Sequence, residues 1–278
     1  MTQPPSLTPT PPENPLHRTD YPRVVVVAVS SVVAVAGSFF GSGAVAGTPV
    51  AEAAGGALGS DATAVAPGGA AFSIWTLIYI GLLALAVWQA LPAHHADSRQ
   101  RALGWWIAVS MILNAAWILA IQFDLLAVSV AVIAVLLGVL VHIFLGLSRS
   151  RPSTTLEAVV VDGTMFLYLG WVMVATVANT AAALESADLD PFGWGADAWA
   201  VIVLAVVAAV SVLVAFAGRG RLAVAAGIAW GLIWIAIART QDGGLMSTPA
   251  AVAASVAAAV AVVSAVAVRL WARDRQAS

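Results

Sequence analysis

Apolar residues in this chain gather in eight long runs, separated by short stretches where charge, proline or glycine collects. The runs lie near residues 24–46, 71–91, 103–122, 125–147, 156–184, 196–217, 222–238 and 250–270. At a rise of about 1.5 Å per residue, roughly 20 apolar residues cross a hydrocarbon core, and each run is of that order. Lipid offers the backbone no hydrogen-bonding partner, so such a run must close its own bonds as a helix. The pattern therefore predicts an all-α fold, a polytopic membrane helical bundle of eight spans. The fifth run is long enough to tilt or to extend past the bilayer.

Composition agrees with lipid as the solvent. The 278 residues are 61% hydrophobic and 9% charged, with a mean hydropathy of +0.95. A soluble domain carries about 25% charged residues. There is no cysteine, which removes disulfides, thiolate catalysis and Cys-ligated metals. All twelve basic residues are arginine, so a Schiff-base lysine of the retinal type is excluded as well.

The arginines set an orientation. Arg18 and Arg23 precede the first run, Arg99 and Arg101 follow the second, and Arg149 and Arg151 follow the fourth. Arg219 and Arg221 follow the sixth, and Arg269, Arg273 and Arg275 end the eighth; Arg239 alone falls on the other side. The positive-inside rule then puts both termini in the cytoplasm of a cell (inner) membrane protein. Glu52, Asp61, Asp124, Glu185, Asp188, Asp190, Asp197 and Asp242 collect on the outer side. Ala44-Val45-Ala46 has the look of a signal-peptidase site, but the run from Val24 exceeds the usual apolar core of a signal peptide, which favours an uncleaved span. Residues 1–22 hold seven prolines and read as a disordered cytoplasmic tail. The Gly/Ala-rich segment 47–70 is long for a connection and reads as a lid or binding loop.

Three spans carry side chains that need explaining. Trp75 and Tyr79 are four apart in the second, hence on one helix face. Asn114 and Trp117 share the third, while Trp171, Ala175, Thr176 and Asn179 follow Tyr168 in the fifth. With this topology Trp75, Tyr79, Asn114, Trp117, Trp171 and Asn179 lie outward of centre at a similar depth. Such a set suits a pocket for a flat, mostly apolar ligand with some polar edges. Trp75 and Trp117 equally suit an interfacial aromatic belt, and the asparagines equally suit interhelical hydrogen bonding. Trp88, Trp105, Trp106, Trp194, Trp199 and Trp271 stand near span ends and read as belt residues. His142 and Asp162 are each about six residues into their helices from the 148–155 hairpin, so antiparallel packing would pair them. That pair reads either as a structural bond or as a proton-coupling site. No metal-binding, phosphate-binding or serine-nucleophile motif is present, and nothing points to nucleic acid.

At these segments the sequence resembles the tryptophan-rich sensory protein family, the TspO and mitochondrial benzodiazepine receptor (translocator protein) group. The likeness rests on Trp75 with Tyr79, on Leu113-Asn114-Ala115-Ala116-Trp117, and on Trp171 followed by Ala175, Thr176 and Asn179. It covers about residues 23–184. The resemblance implies a five-helix ligand-binding core over 23–184, followed by a three-helix extension over 185–278. It further implies a cavity lined by Trp75, Tyr79, Asn114, Trp117, Trp171 and Ala175, with Asn179 beside them and the first loop as lid. The ligands it implies are tetrapyrroles of porphyrin or haem type, sterol-like molecules or synthetic aromatics, with no required cofactor. A homodimer is a further implication. The chain departs from the family at the proline-rich lead-in to helix 2, which reads Pro67-Gly68-Gly69 here, at Gln122-Phe123, and at Asp162. The expected function is a non-enzymatic receptor or carrier with a stress-sensing or regulatory role. A proton-coupled transporter using His142 and Asp162 is the alternative, and light-dependent tetrapyrrole breakdown a weaker one.

Overall fold

Each of the eight runs folds as a helix over its described residues in the computed structural model, which describes residues 16–41, 48–190, 193–241 and 245–277. They are α1 (Asp20–Gly41), α2 (Ile74–Ala90), α3 (Ser98–Gln122) and α4 (Leu126–Arg149), then α5 (Thr155–Ser186), α6 (Gly195–Ala217), α7 (Leu222–Ala238) and α8 (Thr248–Ala277). No strand occurs among the described residues. Seven helices, α2 counted with the turn that leads into it from Gly69, are long and apolar enough to cross a membrane, and α7 at 17 residues is shorter. Large apolar side chains such as Val87, Leu213 and Val263 point outward, each more than 60% exposed. Water would not tolerate so continuous an apolar surface on a monomer, whereas lipid does.

Local chemistry fixes the helix starts. Asp97 caps α3 by accepting from the backbone N–H of Arg99 at 2.8 Å, and Thr154 caps α5 by accepting from Glu157 N–H at 3.1 Å. Most of the proline-rich tail, the Ala44–Ala46 tripeptide and Asp242 lie outside the described residues. The boundary expected at residue 22 moves, because α1 already begins at Asp20. That carboxylate is buried, accepting from Arg101 Nη2 at 2.7 Å and from the backbone of His17 at 2.8 Å. The long fifth run stays continuous but passes through a π-helical turn at Ala158–Gly163.

Packing divides the helices into two groups. α1 packs on α2 and α3, α3 on α4, α4 on α5 and α5 on α2, which closes a ring of five. Outside the ring, α7 packs on α5, α8 on α7 and α6 on α8. The seam between ring and extension is made of glycine. A Cβ on Gly227 of α7 would stand 2.5 Å from Leu167 O and 2.8 Å from Trp171 N, both backbone atoms of α5. Gly170 faces it, and a Cβ there would stand 2.2 Å from Val224 O. Backbones approach this closely only where both side chains are absent.

The bundle has two unlike ends. At one, Arg23, Arg99, Arg101 and Arg221 meet acidic groups and carbonyls; at the other, the first loop covers the ring. Arg239, the exception to the arginine pattern, closes α7 at this loop end. It is almost fully buried, and its guanidinium donates to the carbonyls of Thr63 at 2.6 Å, of Ser60 and of Ala66. Two more bonds tie the loop to α7, from Gly68 N to Trp234 O at 3.2 Å and from Trp230 Nε1 to Ala71 O at 2.8 Å. At the loop's start, Gln122 exchanges two hydrogen bonds with the backbone of Thr48. The extension therefore holds the loop down over the ring.

Candidate ligand-binding site

Trp75 is the centre of the loop end of the ring. Its ring stacks on Tyr79 one turn on, with centroids 5.4 Å apart and planes 20° apart, as the four-residue spacing requires. Around it stand Trp117 of α3 at 6.3 Å, Tyr168 of α5 at 5.7 Å and Trp171 of α5 at 6.2 Å. The last two meet Trp75 edge to face, the arrangement favoured by the aromatic quadrupole. Phe72, from the turn Gly69–Ser73 that leads into α2, meets Trp171 edge to face at 5.9 Å.

The carboxamides are tied into the same layer. Asn114 is bonded to the Tyr79 hydroxyl at 2.8 Å, and Tyr168 donates its hydroxyl proton to Ser110 O at 3.2 Å. Trp117 Nε1 donates to Asn179 Oδ1 at 2.8 Å, and Asn179 Nδ2 donates to Ser129 Oγ of α4 at 2.9 Å. Asn179 is thus occupied in joining α3, α4 and α5. Two polar atoms are left over, Asn114 Oδ1 and Trp171 Nε1, both buried without a hydrogen-bond partner. Turning the Asn114 amide over exchanges which of its groups is orphaned but does not remove the orphan. Unsatisfied buried groups cost about 1–3 kcal/mol each, so their presence here asks for a reason.

Two cavities adjoin this cluster. The larger, about 530 Å³, lies between α1, α2, α3 and the first loop. Trp75, Tyr79 and Trp117 wall it, with Phe72, Val50 and Val35. It runs out along Ile80 and Leu83 toward the lipid-facing side of α2, where Ile80 is exposed. The smaller, about 20 Å³, lies under the loop between Leu58, Pro67, Trp117, Trp171 and Ala175. The structure thus brings Trp75, Tyr79, Asn114, Trp117, Trp171 and Ala175 together around Trp75, but Trp75 and Tyr79 line the larger space, Trp171 and Ala175 the smaller, Trp117 both and Asn114 neither. Phe72, Tyr168 as part of the cluster and the α1 wall were not expected from the sequence, whereas the first loop was expected beside the cavity and lines both spaces. The loop residues carried no signal beyond the length of the segment; Tyr168 was visible as a phenol one turn before Trp171.

The expected pairing of His142 with Asp162 does not form. Asp162 is buried and accepts from Arg99 Nη2 at 2.7 Å, and Arg221 Nη1 lies 3.6 Å from its other oxygen. Arg99 also bonds Glu157, whose second oxygen accepts from the backbone and hydroxyl of Ser153 at 2.7 Å. His142 faces outward beside Trp106, ring centroids 4.7 Å apart, because the buried stripe of α4 runs through Leu140, Ile143, Phe144 and Leu147. An arginine meets a buried carboxylate with a fork of charged donors, which a single imidazole cannot match. Trp88 also departs from the belt assignment. It is buried, and His94 stacks on it at 3.8 Å because the turn Pro92–His94 folds back.

No curated protein and no solved structure matches the chain. A family model described as TSPO-like protein matches residues 25–267, a range that takes in α6, α7 and most of α8 as well as the ring. With an all-helical multi-pass membrane architecture and a match over most of its length, the chain belongs to the TSPO-like protein family.

Proposed function

We propose that the protein is a membrane receptor or carrier that takes a flat hydrophobic ligand, of tetrapyrrole or sterol type, into the chamber beside Trp75. The observation that carries this reading is the 530 Å³ space walled by Trp75, Tyr79 and Trp117, whose size suits a drug-sized molecule. Aromatic faces supply broad apolar contact, and the Tyr79 hydroxyl, held by Asn114, supplies a fixed polar point at the wall. The orphaned Asn114 and Trp171 groups have a use if the layer opens slightly to admit polar edges of a ligand. Tyr79 is the one titratable group among the described residues lining the chamber, so there is little for acid–base catalysis to use. Binding, with a sensing or regulatory outcome, is the reading that follows. The arginine-rich end faces the cytoplasm in this reading, and the chamber lies in the outer half of the cell membrane. The proton-coupled alternative is left without its relay, since His142 and Asp162 stand apart.

Titrating protoporphyrin into protein held in lipid nanodiscs, with binding followed by the porphyrin's own absorbance, tests the proposal. Replacing Trp75 with Leu and Trp117 with Phe removes one ring face and shrinks another, and should weaken binding at least tenfold, since 1.4 kcal/mol is a factor of ten. Far-UV circular dichroism verifies that the variant is folded. Undiminished affinity in a folded double variant refutes the assignment.

A further inference from the structure

The extension creates a third cavity, about 380 Å³, between the first loop, the loop end of α5 and the start of α6. It shares no lining residue with the chamber beside Trp75. We propose that this cavity is a separate binding site for a lipophilic monocation, a hydrophobic body carrying one ammonium or phosphonium charge.

The wall is apolar over most of its area, with Val65, Val177, Leu184 and Val203 among the residues that form it. Its polar groups are of one kind. Glu185 and Asp190 bring two carboxylates to the mouth, and no Arg or His occurs among the described lining residues. The N–H of the one lining tryptophan, Trp199, is given to Asp190 Oδ1 at 2.9 Å. The hydroxyl protons of Thr176 and Thr180 are given to carbonyls of their own helix, Val172 O at 2.7 Å and Thr176 O at 2.8 Å. What these groups turn to an occupant is therefore oxygen lone pairs, negative charge and an indole face. Apart from the Thr63 hydroxyl and the first backbone N–H groups of α6, the lining gives an anion no donor, and its side-chain charge is negative, which attracts a cation. Asp190 keeps its charge at neutral pH, because the Trp199 indole and the Gly195 backbone N–H donate to it and hold its carboxyl below the ordinary range.

Thr63 supplies an independent sign that something belongs here. It lines the cavity, is 7% exposed, and its hydroxyl has no hydrogen-bond partner. Its carbonyl is held by Arg239, which fixes the backbone at this point of the wall. A cavity of this volume lies in the range that encloses small organic molecules.

The test is equilibrium dialysis of the full chain in zwitterionic lipid nanodiscs against methyltriphenylphosphonium, with neutral triphenylphosphine oxide as the shape control. Saturable binding of the cation, at least tenfold tighter than the neutral analogue, is expected. Glu185→Gln keeps the shape of an exposed side chain and should weaken the cation about fivefold, the effect of one charge a few ångströms away in a partly wetted site. Val203→Trp, which fills the space, should abolish saturable binding, whereas Trp75→Leu should leave it unchanged. Equal affinity for cation and neutral analogue would mean a lipid-chain crevice and overturn the proposal. So would binding that survives both Glu185→Gln and Val203→Trp, or binding lost with Trp75→Leu, which would place the cation in the other chamber.

Discussion

Replacing Gly227 with alanine adds a single methyl group at the seam between ring and extension. That methyl would meet Leu167 O at 2.5 Å, Trp171 N at 2.8 Å and Gly170 C at 3.0 Å. All three are backbone atoms inside a helix, so no side-chain rotation relieves the contact. Reaching ordinary van der Waals distance requires α7 to draw back from α5 by about 1 Å, loosening Gly231 against Val174 and the Trp230 bond to Ala71. Overpacking of this sort costs about 1–3 kcal/mol, against which alanine's better helix propensity returns at most about 1 kcal/mol. A net loss of about 1–2 kcal/mol is expected for Gly227→Ala in reversible unfolding from mixed micelles. Gly138→Ala in α4 is the matched control, because its methyl would meet nothing within 4 Å and only the propensity gain applies. Gly138→Ala should therefore equal or exceed wild-type stability. If the two variants prove equally stable, the backbone-to-backbone seam described here is wrong.

Asp162→Asn removes one of the two carboxylate charges on the buried Arg99 guanidinium and should destabilise by about 1.5–3 kcal/mol, while a double-mutant cycle should find coupling of Asp162 to Arg99 and none to His142. Arg239→Ala deletes the donor to three loop carbonyls; hydrogen exchange across residues 58–66 should accelerate while the centres of α3 and α4 keep their protection. The turn at Asp190 should titrate in a set direction. Its carboxyl is depressed in the folded protein, so the stabilisation is complete above the unfolded aspartate value of about 3.9 and is lost as pH falls through the lower folded one. The emission of Trp194 and Trp199, read in single-tryptophan variants, should hold steady from neutral pH to about 4 and change only below it.

Much of this architecture is written in one dimension. Apolar runs of spanning length and arginines that fall on alternate connections need no tertiary information, and the stacking of Trp75 on Tyr79 follows from helical spacing alone. What the sequence hides is which distant partner meets a polar group. Arg99 reads as a topology signal yet is the counterion of a carboxylate 63 residues away, and His142 loses that role because the buried stripe of α4 turns it outward. Arg239 reads as an exception to the arginine pattern; only the folded loop reveals the carbonyls that surround it. Asn179 fitted both a pocket and interhelical bonding, and its hydrogen bonds to Trp117 and Ser129 are of the second kind. Gly170 and Gly227 were lost among the many small residues of the chain, since closeness of two backbones leaves no mark in composition.

Native mass spectrometry of the protein purified from its own membrane bears most directly on whether the Trp75 chamber holds a hydrophobic ligand. A retained small molecule of tetrapyrrole or sterol type is expected on the wild type and should be missing from a folded Trp75→Leu/Trp117→Phe variant. A wild-type protein carrying only phospholipid, or a variant that keeps the same molecule, would contradict the assignment of the chamber.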